Sequence, residues 1–233
     1  MIELVFVIAI VGILSAVLTP NFQRDTLMEA ANQLVSHIRY TQHLAMMDNK
    51  FDPKSEFWFK DRWQMQFVEN VNGDKFWSYT IYCDSLNHNK NPNIGDLLAS
   101  DPLNPINRSA SGAYVRGTIL SGGFSNTIKE THKGINKKMA LTKQYGIQSV
   151  QFSSTCSYYK SKRILFDSLG RPYYNYKNKS NAAKNPYRDM RILKKQCQVS
   201  LCLNESAGKC DYSDKDSYIK IAIEPETGYT HIL

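Results

Sequence analysis

The sequence predicts an α+β protein in which a long, kinked amino-terminal helix packs on a head of antiparallel β-sheet. Three observations carry this: an unbroken apolar run at the start, a helical spacing of apolar residues directly after it, and short β-rich runs beyond. With 233 residues, 42% of them apolar and 21% charged, the chain is long enough for a core and too hydrophobic for a disordered polymer. A mean hydropathy of -0.43 excludes a polytopic membrane protein.

The first element covers residues 1–20. From Leu4 to Gln23 there are twenty residues without a charge, and Leu4 to Leu18 is apolar apart from Gly12 and Ser15. That is about the ~20 residues a bilayer requires, so the run is expected to be a membrane stem. A cleaved secretory signal would need a basic region ahead of the run, where only the acidic Glu3 stands. A buried core helix would be apolar on one stripe rather than all round. Glu3 is the conspicuous residue, because a carboxylate at the edge of an oily helix is costly unless it finds a partner or water. Pro20 removes a backbone donor and is expected to kink the helix rather than end it. Residues 21–50 continue as an amphipathic half, with Leu27, Ala31, Leu34, Ile38 and Ala45 spaced by three, four or seven. His37 and His43 read as surface or edge residues of this helix rather than ligands, having no acidic or cysteine partner at i+4.

These residues carry a resemblance. MIELVFVIAIVGILSAVLTP resembles the amino-terminal helix of type IV pilins and type II secretion pseudopilins, with Glu3, the apolar run and Pro20 in the family's relative positions. The stretch EAANQLVSHIRYTQHLAMMDN is similar to that of H-type minor pseudopilins and FimT-like pilins. The resemblance implies a pilin-like head and a structural subunit of a type II secretion pseudopilus or a type IV competence pilus. It implies assembly roles for Glu3 and Pro20, with Glu3 neutralising a neighbouring subunit's amino terminus. It implies a single-pass protein of the bacterial inner membrane with its head in the periplasm. The implied partners are other pilin or pseudopilin subunits, an inner-membrane assembly platform, the membrane itself, and prepilin peptidase acting on a precursor. Mature family members begin with a methylated Phe two residues ahead of the position of Met1, so the upstream DNA is expected to be in frame and to encode a basic leader, then Gly and Phe.

Residues 51–233 read as the head. Runs such as Phe76 to Cys83, Arg163 to Asp167, Pro172 to Tyr176 and Tyr218 to Ile223 predict strands. DSLG at 167–170 and EPETG at 224–228 predict the turns of two hairpins. RILFDSLGRPYY and YIKIAIEPETGYTHIL are similar to the paired strands that close H-type and FimT-like heads. Residues 85–146, rich in Asn, Ser, Gly and Pro, read as an elaborated loop region.

The net charge is +8, and residues 129–195 hold 16 Lys and Arg against Glu130, Asp167 and Asp189. Tyrosines are interleaved with them. Cations that track phosphates and rings that stack bases suit single-stranded nucleic acid, so Lys162, Arg163, Arg171, Arg188, Arg191, Lys194 and Lys195 are candidates for DNA binding, by a minor pilin acting in DNA uptake. The competing reading is a solvated cationic face in a Lys- and Asn-rich chain. Secreted cargo is the other candidate partner.

Five cysteines stand at 83, 156, 197, 202 and 210. In an oxidising compartment two bonds among five sulfurs can be drawn in 15 ways. Cys197 and Cys202 fall on opposite faces of a regular strand, which argues against their pairing; Cys202 with Cys210 is the expected bond, with one thiol left over. Zinc is disfavoured, there being no CxxC and no nearby His. Asp211, Asp214 and Asp216 offer hard oxygens in a loop, a weak calcium candidate without the EF-hand Gly and closing Glu, set against a plain solvated turn. No phosphate loop, GxSxG or HExxH occurs, so neither enzyme nor cofactor is expected. An anchored periplasmic enzyme with a dispersed site is the remaining alternative.

Overall fold

The computed structural model describes residues 2–55, 58–70, 76–84, 97–98, 107–108, 114–116, 119–123, 128, 131–156, 162–175 and 190–233; side chains of 2–3, 14–25, 60, 70, 97–98, 107–108, 114–116, 175 and 190 lie outside the description. Helix α1 covers Ile2–Met47 and the five-residue α2 Leu141–Tyr145. The strands are β1 (Trp63–Asn70), β2 (Phe76–Cys83), β3 (Leu97–Leu98), β4 (Asn107–Arg108), β5 (Tyr114–Arg116), β6 (Ser149–Phe152), β7 (Arg163–Phe166), β8 (Pro172–Asn175), β9 (Met190–Ile192), β10 (Cys197–Cys202), β11 (Glu205–Ser206), β12 (Lys209–Cys210), β13 (Tyr218–Ile223) and β14 (Thr230–Ile232). They form a six-stranded sheet ordered β3-β2-β1-β7-β8-β9 and a four-stranded sheet ordered β14-β13-β10-β6, with two small two-stranded ribbons. Every pairing between these strands is antiparallel.

The fold class read from the sequence, a membrane stem continued into an amphipathic half on a pilin-like head, is corrected here. The structure is mostly antiparallel sheet, and among the described residues no helix is long and apolar enough to cross a membrane. The runs beyond residue 50 carry apolar side chains at a period of two, which pairs them into the two main sheets rather than extending a helix. The expected location, a single-pass inner-membrane protein with a periplasmic head, falls with the stem.

Alternation explains how both sheets meet the helix. In β1, Trp63, Met65 and Phe67 belong to the main core, while Gln64 and Gln66 occupy the other face; in β2, Trp77, Tyr79, Ile81 and Cys83 are core. Leu27, Ala30, Ala31, Leu34, Val35, Ile38 and Ala45 form the buried stripe of α1, and they share one cluster with Val199 and Leu201 of β10 and Ile221 and Ile223 of β13. The carboxy-terminal half of α1 thus fills the space over both sheets, each large side chain contributing roughly 1.5–3 kcal/mol on burial.

Polar ties fix the helix. Arg39 donates from Nε and Nη2 to the Thr230 carbonyl at 3.1 and 2.7 Å. Gln42 Nε2 donates to the carbonyls of Gly170 and Thr227, both at 2.7 Å, so a single amide holds the β7–β8 and β13–β14 turns. The approach is close: Gly228 has φ +67, and a Cβ there would sit 2.6 Å from Gln42 Nε2 and 2.7 Å from the Gly170 carbonyl.

A third tie lies deeper. Gln33 Nε2 donates to the Tyr79 hydroxyl (3.0 Å) and the Lys138 carbonyl (2.9 Å), Tyr145 donates to Gln33 Oε1 (2.8 Å), and His37 Nδ1 lies 2.8 Å from the Tyr79 hydroxyl. Burial pushes the Tyr79 phenol far above its ordinary value of 10, against a smaller lowering by the Gln33 hydrogen bond. Tyr145 is pushed up to about 12 by burial, with the Glu29 charge adding to it. The folded protein therefore keeps phenol protons that the unfolded chain releases above pH 10. Stability from this source is intact below pH 10 and is expected to fall above it by about 1.4 kcal/mol per pH unit for Tyr79 alone. Urea midpoints measured from pH 9 to 11.5 check this; Tyr79→Phe should show a shallower decline, and equal slopes would contradict the account.

Candidate functional site

Two surfaces stand out, and the first is the amino-terminal half of α1. Leu4, Val5, Phe6, Val7, Ile8, Ile10, Val11 and Ile13 are each 56–66% exposed. At 100° per residue these positions cover every side of the helix, so no face of residues 4–13 rests on the described head. A Cβ on Gly12 would meet nothing within 4 Å. Single exposed apolar residues are ordinary, but eight of them on one stretch of helix make an apolar surface larger than scattered exposure gives. Glu3 and Pro20 lie in α1, with their side chains outside the described ones.

The second surface is where some of the sequence-predicted cations meet. Arg191, Lys194 and Lys195 line a single cleft of about 570 Å³, together with Ser154, Thr155, Tyr173, Tyr174 and Ile192. The other candidates are placed elsewhere. Lys162 Nζ sits 3.8 Å from the centre of the Trp77 ring. Arg163 is only 4% exposed within β7, where it donates to Gln66 Oε1 at 3.0 Å. Arg171 is engaged by Asp167, with Nε at 2.8 Å and Nη2 at 2.7 Å from Oδ2, and that carboxylate raises its pKa above the ordinary value. Arg188 lies outside the described residues.

A smaller hollow of about 220 Å³ lies between the end of α1 and the β7–β8 turn, walled by Trp58, Trp63 and Phe166 and rimmed by Arg62 and Asp167. The sequence reading missed Arg62, whose guanidinium lies between two rings, 5.0 Å from Trp58 and 4.3 Å from Tyr173. No short-range motif announces that arrangement, because Arg62 and Tyr173 are brought together by the β1–β7–β8 pairing.

The acidic loop is self-satisfied. Asp211 accepts from the Ser213 backbone at 2.9 Å, which holds its carboxyl below the usual carboxylate range, and Asp214 accepts from the Asp216 backbone at 3.0 Å. Among the described residues no group of three or more His, Cys, Asp or Glu is arranged to hold a metal ion. Cys156 is bonded to Cys197 and Cys202 to Cys210, and Cys83 is a buried thiol. His37, read as a surface or edge residue, faces the Tyr79 ring edge-on with ring centres 5.7 Å apart.

Comparison with known proteins adds no assignment: no family model matches the chain, and no curated protein and no solved structure matches it.

Proposed function

We propose that this chain is a structural subunit of a pilin-type filament, a type II secretion pseudopilus or a type IV pilus, that joins its neighbours through the amino-terminal half of α1. The observation that carries the reading is the all-round exposure of Leu4 to Ile13 on a helix whose other half is packed into the head. Side-by-side packing of such helices from several subunits covers the apolar surface, at roughly 1.5–3 kcal/mol per large side chain before the cost of association. The family resemblance of the same segment supplies the filament type. Glu3, just ahead of the apolar run, is the acid that a cationic group of the neighbouring subunit meets in the water-poor seam, and breaking such a pair leaves one charge uncompensated.

The test uses the full chain held in detergent, with a photo-crosslinking residue at Ile8, and follows assembly by electron microscopy and sedimentation as detergent is removed. Helix-to-helix crosslinks between copies or to other pilin subunits are expected. Glu3→Ala is expected to weaken assembly about a hundredfold while leaving the head folded. Unchanged assembly with Glu3→Ala, or an Ile8 probe that links only within its own chain, would overturn the reading.

A further inference from the structure

The cleft that gathers Arg191, Lys194 and Lys195 is formed by the edge strand of one sheet and the turn that leaves the edge strand of the other, among the described residues. Among the described residues β9 is the last strand of the six-stranded sheet and pairs with β8, Tyr173 facing Ile192 and Tyr174 facing Arg191. The Leu193 N–H donates to the Pro172 carbonyl at 2.9 Å. Antiparallel ladders alternate between bonded and outward-facing residues, so the N–H and C=O of Ile192 turn away from β8. Across the cleft stand Ser154 and Thr155, in the turn that follows edge strand β6.

The described lining is cationic, and among the described residues none of it is acidic. Its aromatic surfaces are largely engaged: the Arg62 guanidinium covers the Tyr173 ring at 4.3 Å, the Tyr173 hydroxyl donates to Asp167 at 3.1 Å, and Tyr174 packs on the main core. That counts against base stacking, which is what single-stranded nucleic acid gains from such a site. A sheet edge with outward backbone groups, an aliphatic residue at Ile192 and a rim of like charge fits a different partner.

The geometry points to strand addition: an extended acidic polypeptide segment pairs with the edge of β9, its backbone meeting Ile192 and its carboxylates meeting Arg191, Lys194 and Lys195. Alternation along the added strand places carboxylates on one side and small aliphatic residues against Ile192 on the other. This goes beyond filament assembly and uses a surface separate from Leu4–Ile13.

The experiment is fluorescence anisotropy with the full chain in detergent and a labelled decapeptide alternating Glu and Val. Its comparators are the same peptide N-methylated at alternate residues, a Lys-Val decapeptide and a ten-nucleotide oligothymidine. The Glu-Val peptide is expected to bind with an affinity that falls as salt rises. The doubly substituted Lys194→Gln, Lys195→Gln protein should bind it roughly tenfold more weakly. N-methylation should abolish binding, since it removes the donors that a sheet edge needs. Equal binding of the N-methylated peptide would overturn strand addition, and binding of oligothymidine without the Glu-Val peptide would replace it with nucleic-acid recognition. Indifference to the lysine substitutions would remove the cleft from the account.

Discussion

Leu34→Ala is expected to destabilise the head by about 2–5 kcal/mol, the range found when a fully buried leucine leaves a cavity that its surroundings only partly fill. Leu34 is fully buried, in the stripe of α1 that shares one cluster with both sheets, so the void opens where three elements meet. The same chemical change at the other end of the helix should do nearly the opposite. Ile8 is 63% exposed, so Ile8→Ala removes little buried contact, and its effect on unfolding should stay within about 0.5 kcal/mol. Its effect on assembly should be the larger one. Urea unfolding of both variants in detergent, set beside sedimentation after detergent removal, separates the half of α1 that builds the head from the half that builds contacts. A Leu34→Ala loss under 1 kcal/mol would mean that α1 is not packed on the sheets as described.

What the sequence made legible was local. The alternation in Phe76–Cys83 and Tyr218–Ile223 carries strands over those same residues, because a period of two turns Trp77, Tyr79, Ile81 and Cys83, and Ile219, Ile221 and Ile223, toward the main core. Asp167 to Gly170 makes its turn because the Asp167 carboxylate accepts from the backbone of Leu169 and Arg171 while Gly170 takes φ +76. Pairings across long separations were not legible. Gln33 and Tyr79 meet across 46 positions and Gln42 and Thr227 across 185, and no spacing rule reaches so far. Charge misled for the same reason: Arg163 was grouped with exposed cations, yet strand β7 turns it toward Gln66 and Tyr82 beneath the surface. Counting the apolar run at the amino terminus predicts a membrane stem, whereas among the described residues no helix is long and apolar enough to cross a membrane.

Replacing Cys156 and Cys197 together by alanine is expected to cost about 4 kcal/mol, more than removing the second disulfide. The chain leaves the four-stranded sheet after Phe152, contributes β7, β8 and β9 to the other sheet, and returns at Cys197. The Cys156–Cys197 bond joins exit to re-entry across a separation of 41 residues, whereas Cys202–Cys210 spans 8. Loop-closure entropy grows with the logarithm of that span, giving about 4 kcal/mol for the first and about 2.5 kcal/mol for the second. Both sulfurs of the first bond are buried, and alanine leaves no unsatisfied polar atom in their place. The bond also braces the cleft: Thr155 Oγ1 donates to the Gln196 carbonyl at 2.8 Å, and Ser153 Oγ accepts from the Gln198 backbone at 3.0 Å, on the segment that carries Lys194 and Lys195. Loss of the disulfide should therefore weaken binding of the acidic decapeptide as well as lower the urea midpoint, while Cys202→Ala with Cys210→Ala lowers the midpoint less and leaves binding intact. The reverse order of the two midpoints would show that the long excursion through β7, β8 and β9 is held by its strand pairing and not by the bond that closes it.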